Sequence, residues 1–117
     1  MATYSKLPLS GSTQGKQIKV AASATAGTLI HTAVTGTSDL DEIWLYAVNS
    51  SLIAVKLTIE WGGVAAPDDH IEVTIAAESG YVLVVPGLVL QNELVVRAFA
   101  GTVDVLCIGG FVNRVTA

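Results

Sequence analysis

Residues that could do chemistry fall in two short acidic stretches: Pro67-Asp68-Asp69-His70-Ile71-Glu72, and Asp39-Leu40-Asp41-Glu42. Carboxylates beside an imidazole are the donor set of a divalent-metal site or of a proton-transfer pair. In the first stretch nothing makes Asp69, His70 and Glu72 converge, and the spacing matches no zinc motif or calcium loop. It reads as a solvated acidic loop. The second stretch precedes an apolar run and reads as a turn cap, or as charge that blunts a sheet edge. His31 is distant from His70 in sequence and lies within an apolar segment. Cys107 is the only cysteine; it sits in Val105-Leu106-Cys107-Ile108 with no base nominated beside it. It reads as a small buried hydrophobe rather than a nucleophile. Glu78-Ser79-Gly80-Tyr81 is a plain turn and not a nucleophile elbow. With no helix there is no strand-to-helix phosphate loop. The chain reads as non-enzymatic, with no catalytic residue, no metal ligand and no cofactor expected.

The bulk numbers narrow the classes further. With 117 residues the chain has the length of one domain, long enough to bury a core without staples. Charged residues are only 14% of the chain and hydrophobic ones 51%, with a net charge of −4. A nucleic-acid surface would need clustered Lys and Arg, whereas the 6 basic residues here are scattered. A lone cysteine allows no intrachain disulfide, which suits synthesis in a reducing cytoplasm. The N-terminal "MATYSKLPLSGSTQGK" has no apolar core of a secretory signal. The longest apolar run, "YVLVVPGLVL", is too short for a membrane helix. Aromatics at 6% are too few for the girdles of an outer-membrane barrel. Neither nucleic acid nor membrane is expected as a partner.

The elements that would position these residues are strands. Residues 1–15 are rich in Ser, Gly and Thr and read as an extended N-terminal arm. Tyr4, Leu7 and Leu9 are its candidate anchors on a neighbouring subunit. Residues 16–117 read as one domain of short β segments separated by turn chemistry. The segments are Lys16–Ala22, Thr28–Val34, Glu42–Asn49, Ile53–Trp61, His70–Ile75, Tyr81–Val85, Leu94–Ala100, Val103–Ile108 and Phe111–Val115. Asn49-Ser50-Ser51 reads as the turn of a hairpin, Pro86-Gly87 as the centre of a type II turn, and Gly101-Thr102 as a two-residue hairpin loop. Gly109-Gly110 reads as a bulge or bend in the last strand. About eight strands without a helix predict an all-β fold, an antiparallel β-sandwich or jelly roll.

Three segments alternate cleanly and should keep one wet face: Lys16–Ala22, Val55–Trp61 and His70–Ile75. Three others are apolar on both faces: Ile43–Val48, Tyr81–Val85 and Val105–Ile108. In the first of these, Ile43, Leu45 and Ala47 share one face and Trp44, Tyr46 and Val48 the other. A sandwich has one interior layer, about 10 Å thick, so a second apolar face needs another cover. Monomers rarely leave large apolar patches bare, and aromatics are favoured at interface centres. Trp44, Tyr46, Val48, Val82 and Val84 are therefore expected at a contact with other chains.

The ordered strings "IKVAASATAGTLIHTA", "DEIWLYAVNSS", "VKLTIEWGG", "VLVVPGL" and "GGFVNRV" resemble small structural proteins encoded among the head genes of tailed bacteriophages. These are the decoration, or cement, proteins that bind the outside of the capsid. The resemblance runs from about residue 14 to the end. It implies a sandwich-like subunit, often a homotrimer, that staples neighbouring capsomers of the major capsid protein. It also implies attachment through an N-terminal arm, and a place on the virion exterior after synthesis in the host cytoplasm. It transfers no residue role. The rival expectation is a phage fibre or receptor-binding module, possibly for carbohydrate.

Overall fold

The computed structural model describes residues 2–117. Its nine strands, among the described residues, are β1 (Thr3–Pro8), β2 (Ile18–Lys19), β3 (Thr28–Thr32), β4 (Leu40–Asn49), β5 (Val55–Trp61), β6 (His70–Ile75), β7 (Val82–Leu90), β8 (Val95–Ala100) and β9 (Leu106–Thr116). They form two antiparallel sheets. One has the order β1-β9-β4-β7, with β2 also on β9, and the other the order β3-β8-β5-β6. The antiparallel pairs β2·β9, β3·β8, β4·β7 and β5·β6 nest inside one another. That is a long folded ribbon rolled into two layers, the winding of a jelly roll.

The rolling overturns three local readings of turns. β4 and β5 are not a hairpin, because the Asn49-Ser50-Ser51 connection carries the chain from one sheet to the other. β8 and β9 also belong to different sheets, so Gly101-Thr102 begins a crossover of residues 101–105. Pro86-Gly87 lies within β7, which bulges past β4 with register shifts between Ile43 and Trp44 and between Leu45 and Tyr46. A bulge and a type II turn ask for the same residues, Pro to fix φ and Gly to take a positive one, so sequence alone does not separate them. Gly109-Gly110 does not interrupt β9 either. That strand pairs with β4 residue by residue from Leu106 to Val115 without a shift. Gly110 is needed for close approach, since a Cβ there would stand 2.0 Å from the Trp44 carbonyl oxygen.

The N-terminal segment is a strand rather than a free arm: Thr3–Pro8 pairs with Phe111–Thr116 along the sheet edge. Lys16–Ala22 shrinks to the two residues of β2.

The core lies between the sheets, as one layer must. From β4 it takes Ile43, Leu45 and Ala47, with Ile108 and Val112 of the neighbouring β9 beside them; facing them from the other sheet are Val55, Leu57 and Ile59 of β5 and Val96 and Ala98 of β8. Ile71, Val73 and Trp61 pack against this cluster without being fully covered. Leu57 is wholly enclosed. Leu57→Ala is expected to cost about 2–5 kcal/mol, and Leu57→Asp, an unpaired charge in the same place, to abolish cooperative unfolding. Urea titration followed by tryptophan fluorescence checks both.

Candidate functional site

Strand β4 is buried at every second residue. Asp41, Ile43, Leu45, Ala47 and Asn49 face inward, and Leu40, Glu42, Trp44, Tyr46 and Val48 lie half-buried on the outside. The register with β9 sets Asn113 beside Glu42, Phe111 beside Trp44, Gly109 beside Tyr46 and Cys107 beside Val48. Two remote stretches of chain thereby make one aromatic surface. Trp44 and Phe111 stack with centroids 6.0 Å apart and planes 13° apart. The Lys6 ammonium sits 4.8 Å over the Phe111 ring, a cation–π contact. Tyr46 meets Tyr81 edge-on at 6.2 Å. Gly87, at a φ of 76°, passes under Trp44, where a Cβ would come 2.7 Å from the ring. Trp44 Nε1 and Asn113 Nδ2 both donate to Glu42 Oε1, at 2.7 and 2.9 Å. The Asn113 bond first, then that of Trp44, holds the Glu42 carboxyl below its ordinary range. Of the chain's aromatic side chains, Trp44, Tyr46, Tyr81 and Phe111 share this one surface.

Between Tyr46, Tyr81 and Phe111 the surface sinks into a groove of about 350 Å³. Gly109 and Gly110 form its floor and Gln17 part of its wall. Gln17 donates to the Tyr81 hydroxyl and fixes that ring at the rim. Every residue around the groove is uncharged. What it can do chemically is hold a neutral, largely apolar group.

The structure gathers some of the expected contact residues and disperses others. Trp44, Tyr46 and Val48 lie together on the outer face. Tyr4 stands exposed at the sheet edge, and Leu7 packs partly against the core. Leu9 is inside this chain's own core and therefore anchors no neighbour. Val82 and Val84 also pack against the core instead of pointing outward. The bulges of β7 explain this, because an extra residue in one strand breaks strict alternation. The exposed apolar residues of this strand are Leu83, Leu88 and Val89. Cys107, expected to be buried, is half-exposed beside Val48. Tyr81, Phe111 and Gln17 carried no local signal as contact residues, because only the pairing of β9 with β4 brings them to Tyr46.

The acidic stretches resolve differently from their sequence reading. Asp41 neither caps a turn nor blunts an edge. β4 is an interior strand, and this carboxylate is fully buried. Arg114 Nε and Nη2 donate to it at 2.8 and 3.0 Å, and the Val34 N–H at 3.1 Å. His31 Nε2 lies 2.8 Å from it. The Ser10 N–H donates to His31 Nδ1 at 3.0 Å, so Nδ1 is the acceptor and Nε2 carries the hydrogen toward Asp41. Ser10 Oγ, meanwhile, accepts from the Thr32 N–H at 2.7 Å. Serine, histidine and aspartate thus stand in line without the hydroxyl-to-imidazole bond that a nucleophile requires. The cluster is a bolt joining β4 and β9 of one sheet to β3 of the other. A sequence signal for it existed: Asp41 and Asn49 share the parity of Ile43, Leu45 and Ala47.

Glu60 departs from expectation too. The outward face of β5 was to be wet, yet Thr58 and Glu60 are buried. The loop before β3 lies over Glu60; the Gly27 N–H donates to its Oε1 at 2.7 Å and the Thr25 hydroxyl to its Oε2. His70 Nε2 is 3.9 Å away. Asp69, for its part, accepts from the Ala65 N–H at 3.1 Å within its own loop. No group of three metal-ligating side chains occurs among the described residues.

Fold and surface define an all-β jelly-roll sandwich with one aromatic outer face. Compared with protein-family models, curated proteins and solved structures, the chain matches none.

Burial by itself would raise the Asp41 carboxyl, but the hydrogen bonds and charge of Arg114, with the hydrogen bond of His31, outweigh it and hold the group below its ordinary value. A carboxyl whose pKa is lower folded than unfolded stabilises the fold fully above the unfolded value, about 3.9, and loses that contribution as pH falls through the folded value. Stability is therefore expected to drop below about pH 4. Asp41→Asn should cost about 1–3 kcal/mol at pH 7 and flatten the acid limb. Urea midpoints between pH 2 and 7 for parent and variant give the comparison.

Proposed function

We propose that this chain is a non-enzymatic structural protein that binds the outer surface of a phage capsid and stabilises it, acting as a homotrimeric decoration protein. It is made in the bacterial host cytoplasm and resides on the virion exterior, with the major capsid protein and its own copies as partners. The observation that carries this reading is the outer surface of the β1-β9-β4-β7 sheet. There Trp44, Tyr46, Val48 and Phe111 lie side by side, half-buried in a lone subunit.

A cement protein needs two unlike surfaces, one for its copies and one for the shell, and no active site. The two outer faces of this sandwich differ in that sense. One is aromatic, while the other carries Lys56, Glu72, His70 and Arg97 around the loop-covered Glu60. Scarce charge across the chain favours burial in an assembly, and the resemblance of the strings quoted above points to the same class. Many copies acting together turn modest contacts into avidity.

Mixing the purified protein with expanded, undecorated heads and pelleting them tests the reading. The protein is expected to co-sediment at saturable stoichiometry and to raise the temperature at which heads rupture. Tyr46→Asp should weaken assembly about ten-fold or more while leaving the subunit folded. Undiminished assembly and head binding by that variant would remove the aromatic surface from the interface.

A further inference from the structure

The loop between β4 and β5 presents the barest large apolar side chain among the described residues. Leu52 is 82% exposed and its neighbour Ile53 59%. Floppiness does not explain this, because the loop is pinned from beneath by buried Asn49. Asn49 Nδ2 donates to the carbonyl oxygens of Ile53 at 2.8 Å and Ile75 at 3.0 Å. Its Oδ1 accepts from the Ser51 N–H at 2.9 Å and the Ser51 hydroxyl at 2.7 Å. The Ser50 N–H is held by the Val105 carbonyl at 3.3 Å. A buried amide that uses both its ends to fix a loop displaying Leu and Ile to water builds a preformed knob. Preformed contacts lose little ordering entropy on binding.

The groove of about 350 Å³ beside Tyr46, Tyr81 and Phe111 is the complementary feature. Neither knob nor groove carries a charge, so neither would strand an ion on burial. The knob does not fill its own groove; Leu52 and Ile53 are absent from the lining. Gly109 keeps the floor open, because a Cβ there would meet the Tyr81 ring at 3.4 Å and Gln17 at 3.7 Å, ordinary contact distances inside the cavity.

We propose that the Leu52-Ile53 knob of one copy inserts into the Tyr46–Tyr81–Phe111 groove of another copy of this chain. This deepens the self-assembly part of the reading above and rests on it. Knob and groove are different patches, so the contact is satisfied either reciprocally across a twofold axis or head-to-tail around a closed ring. The ring suits a trimer.

The experiment is a disulfide trap in solution. In a Cys107→Ser background, one preparation carries Gln17→Cys and another Leu52→Cys; both positions are exposed. Mixed and mildly oxidised, they are expected to give a heterodimeric crosslink, with either preparation alone giving little. Leu52→Asp and Gly109→Ala should each weaken self-association about ten-fold, the first by charging the knob and the second by filling the groove. Circular dichroism should show the parent's strand content in both. Absence of the mixed crosslink, together with parent-like association of Leu52→Asp, would overturn the proposal. So would saturable binding of a neutral glycan in the groove that leaves self-association untouched. If Tyr46→Asp dissociates the assembly and Leu52→Asp does not, the aromatic surface remains a contact and only its occupant is wrong. If the parent chain does not associate at all, the trimer reading falls as well.

Discussion

Everything in this molecule is arranged around one strand that has to be buried on a single side. β4 lies between β9 and β7, and its inward row reads Asp41, Ile43, Leu45, Ala47, Asn49. The three apolar residues seat it in the core, and the two polar ends are bolts. At one end Asp41 draws in Arg114 from the same sheet and His31 from the opposite one. At the other end Asn49 reaches Ile75 across the sandwich and holds the next loop. Buried polar groups are costly unless fully partnered, and here their partners come from both layers. The same hydrogen bonds that satisfy these groups therefore fix how the sheets sit on each other.

Once the inward row is fixed, the outer row has no freedom. Leu40, Glu42, Trp44, Tyr46 and Val48 must face away from the only interior a two-layer sandwich has. The sheet partially shields them with neighbours of like character, by stacking Phe111 on Trp44 and setting Tyr81 against Tyr46. The opposite sheet solves its own outer face by other means. A loop folds over Glu60 and satisfies it with a backbone N–H and a hydroxyl. One face is thus closed by its own chain only around Glu60, leaving Lys56 and Glu72 in water, and the other is left as an aromatic platform.

The all-β class, the inward row of β4 and the apolar outer row were legible because a strand has a period of two. Trp44, Tyr46 and Val48 were placed correctly by that rule alone. The rule failed where geometry is set by distant chain. Val82 and Val84 turned inward because β7 bulges, and bulges share their Pro-Gly chemistry with turns. Leu9 was read as an arm residue because Ser, Gly and Thr surround it, whereas the interior of the sandwich accepts it. Sheet partners could not be read at all. Strands adjacent in sequence, such as β4 and β5, read as a hairpin, while a jelly roll sends them to opposite layers. Glu60 escapes the rule for a related reason, since parity puts it outside and only the loop from Thr25 to Gly27 decides that outside is dry. Parity marks Asp41 as inward, but nothing in the spacing names His31 as its partner, the two being joined only across the core.

The central claim is that a lone subunit leaves strand surface for companions to cover. Its most direct test is the mass of the purified chain by sedimentation equilibrium across a hundred-fold concentration range. A particle three times the 12.1 kDa subunit, falling apart only on strong dilution, is the predicted result. A stable 12.1 kDa species throughout that range, with Trp44 as shielded from a quencher as the core residues are, would contradict it.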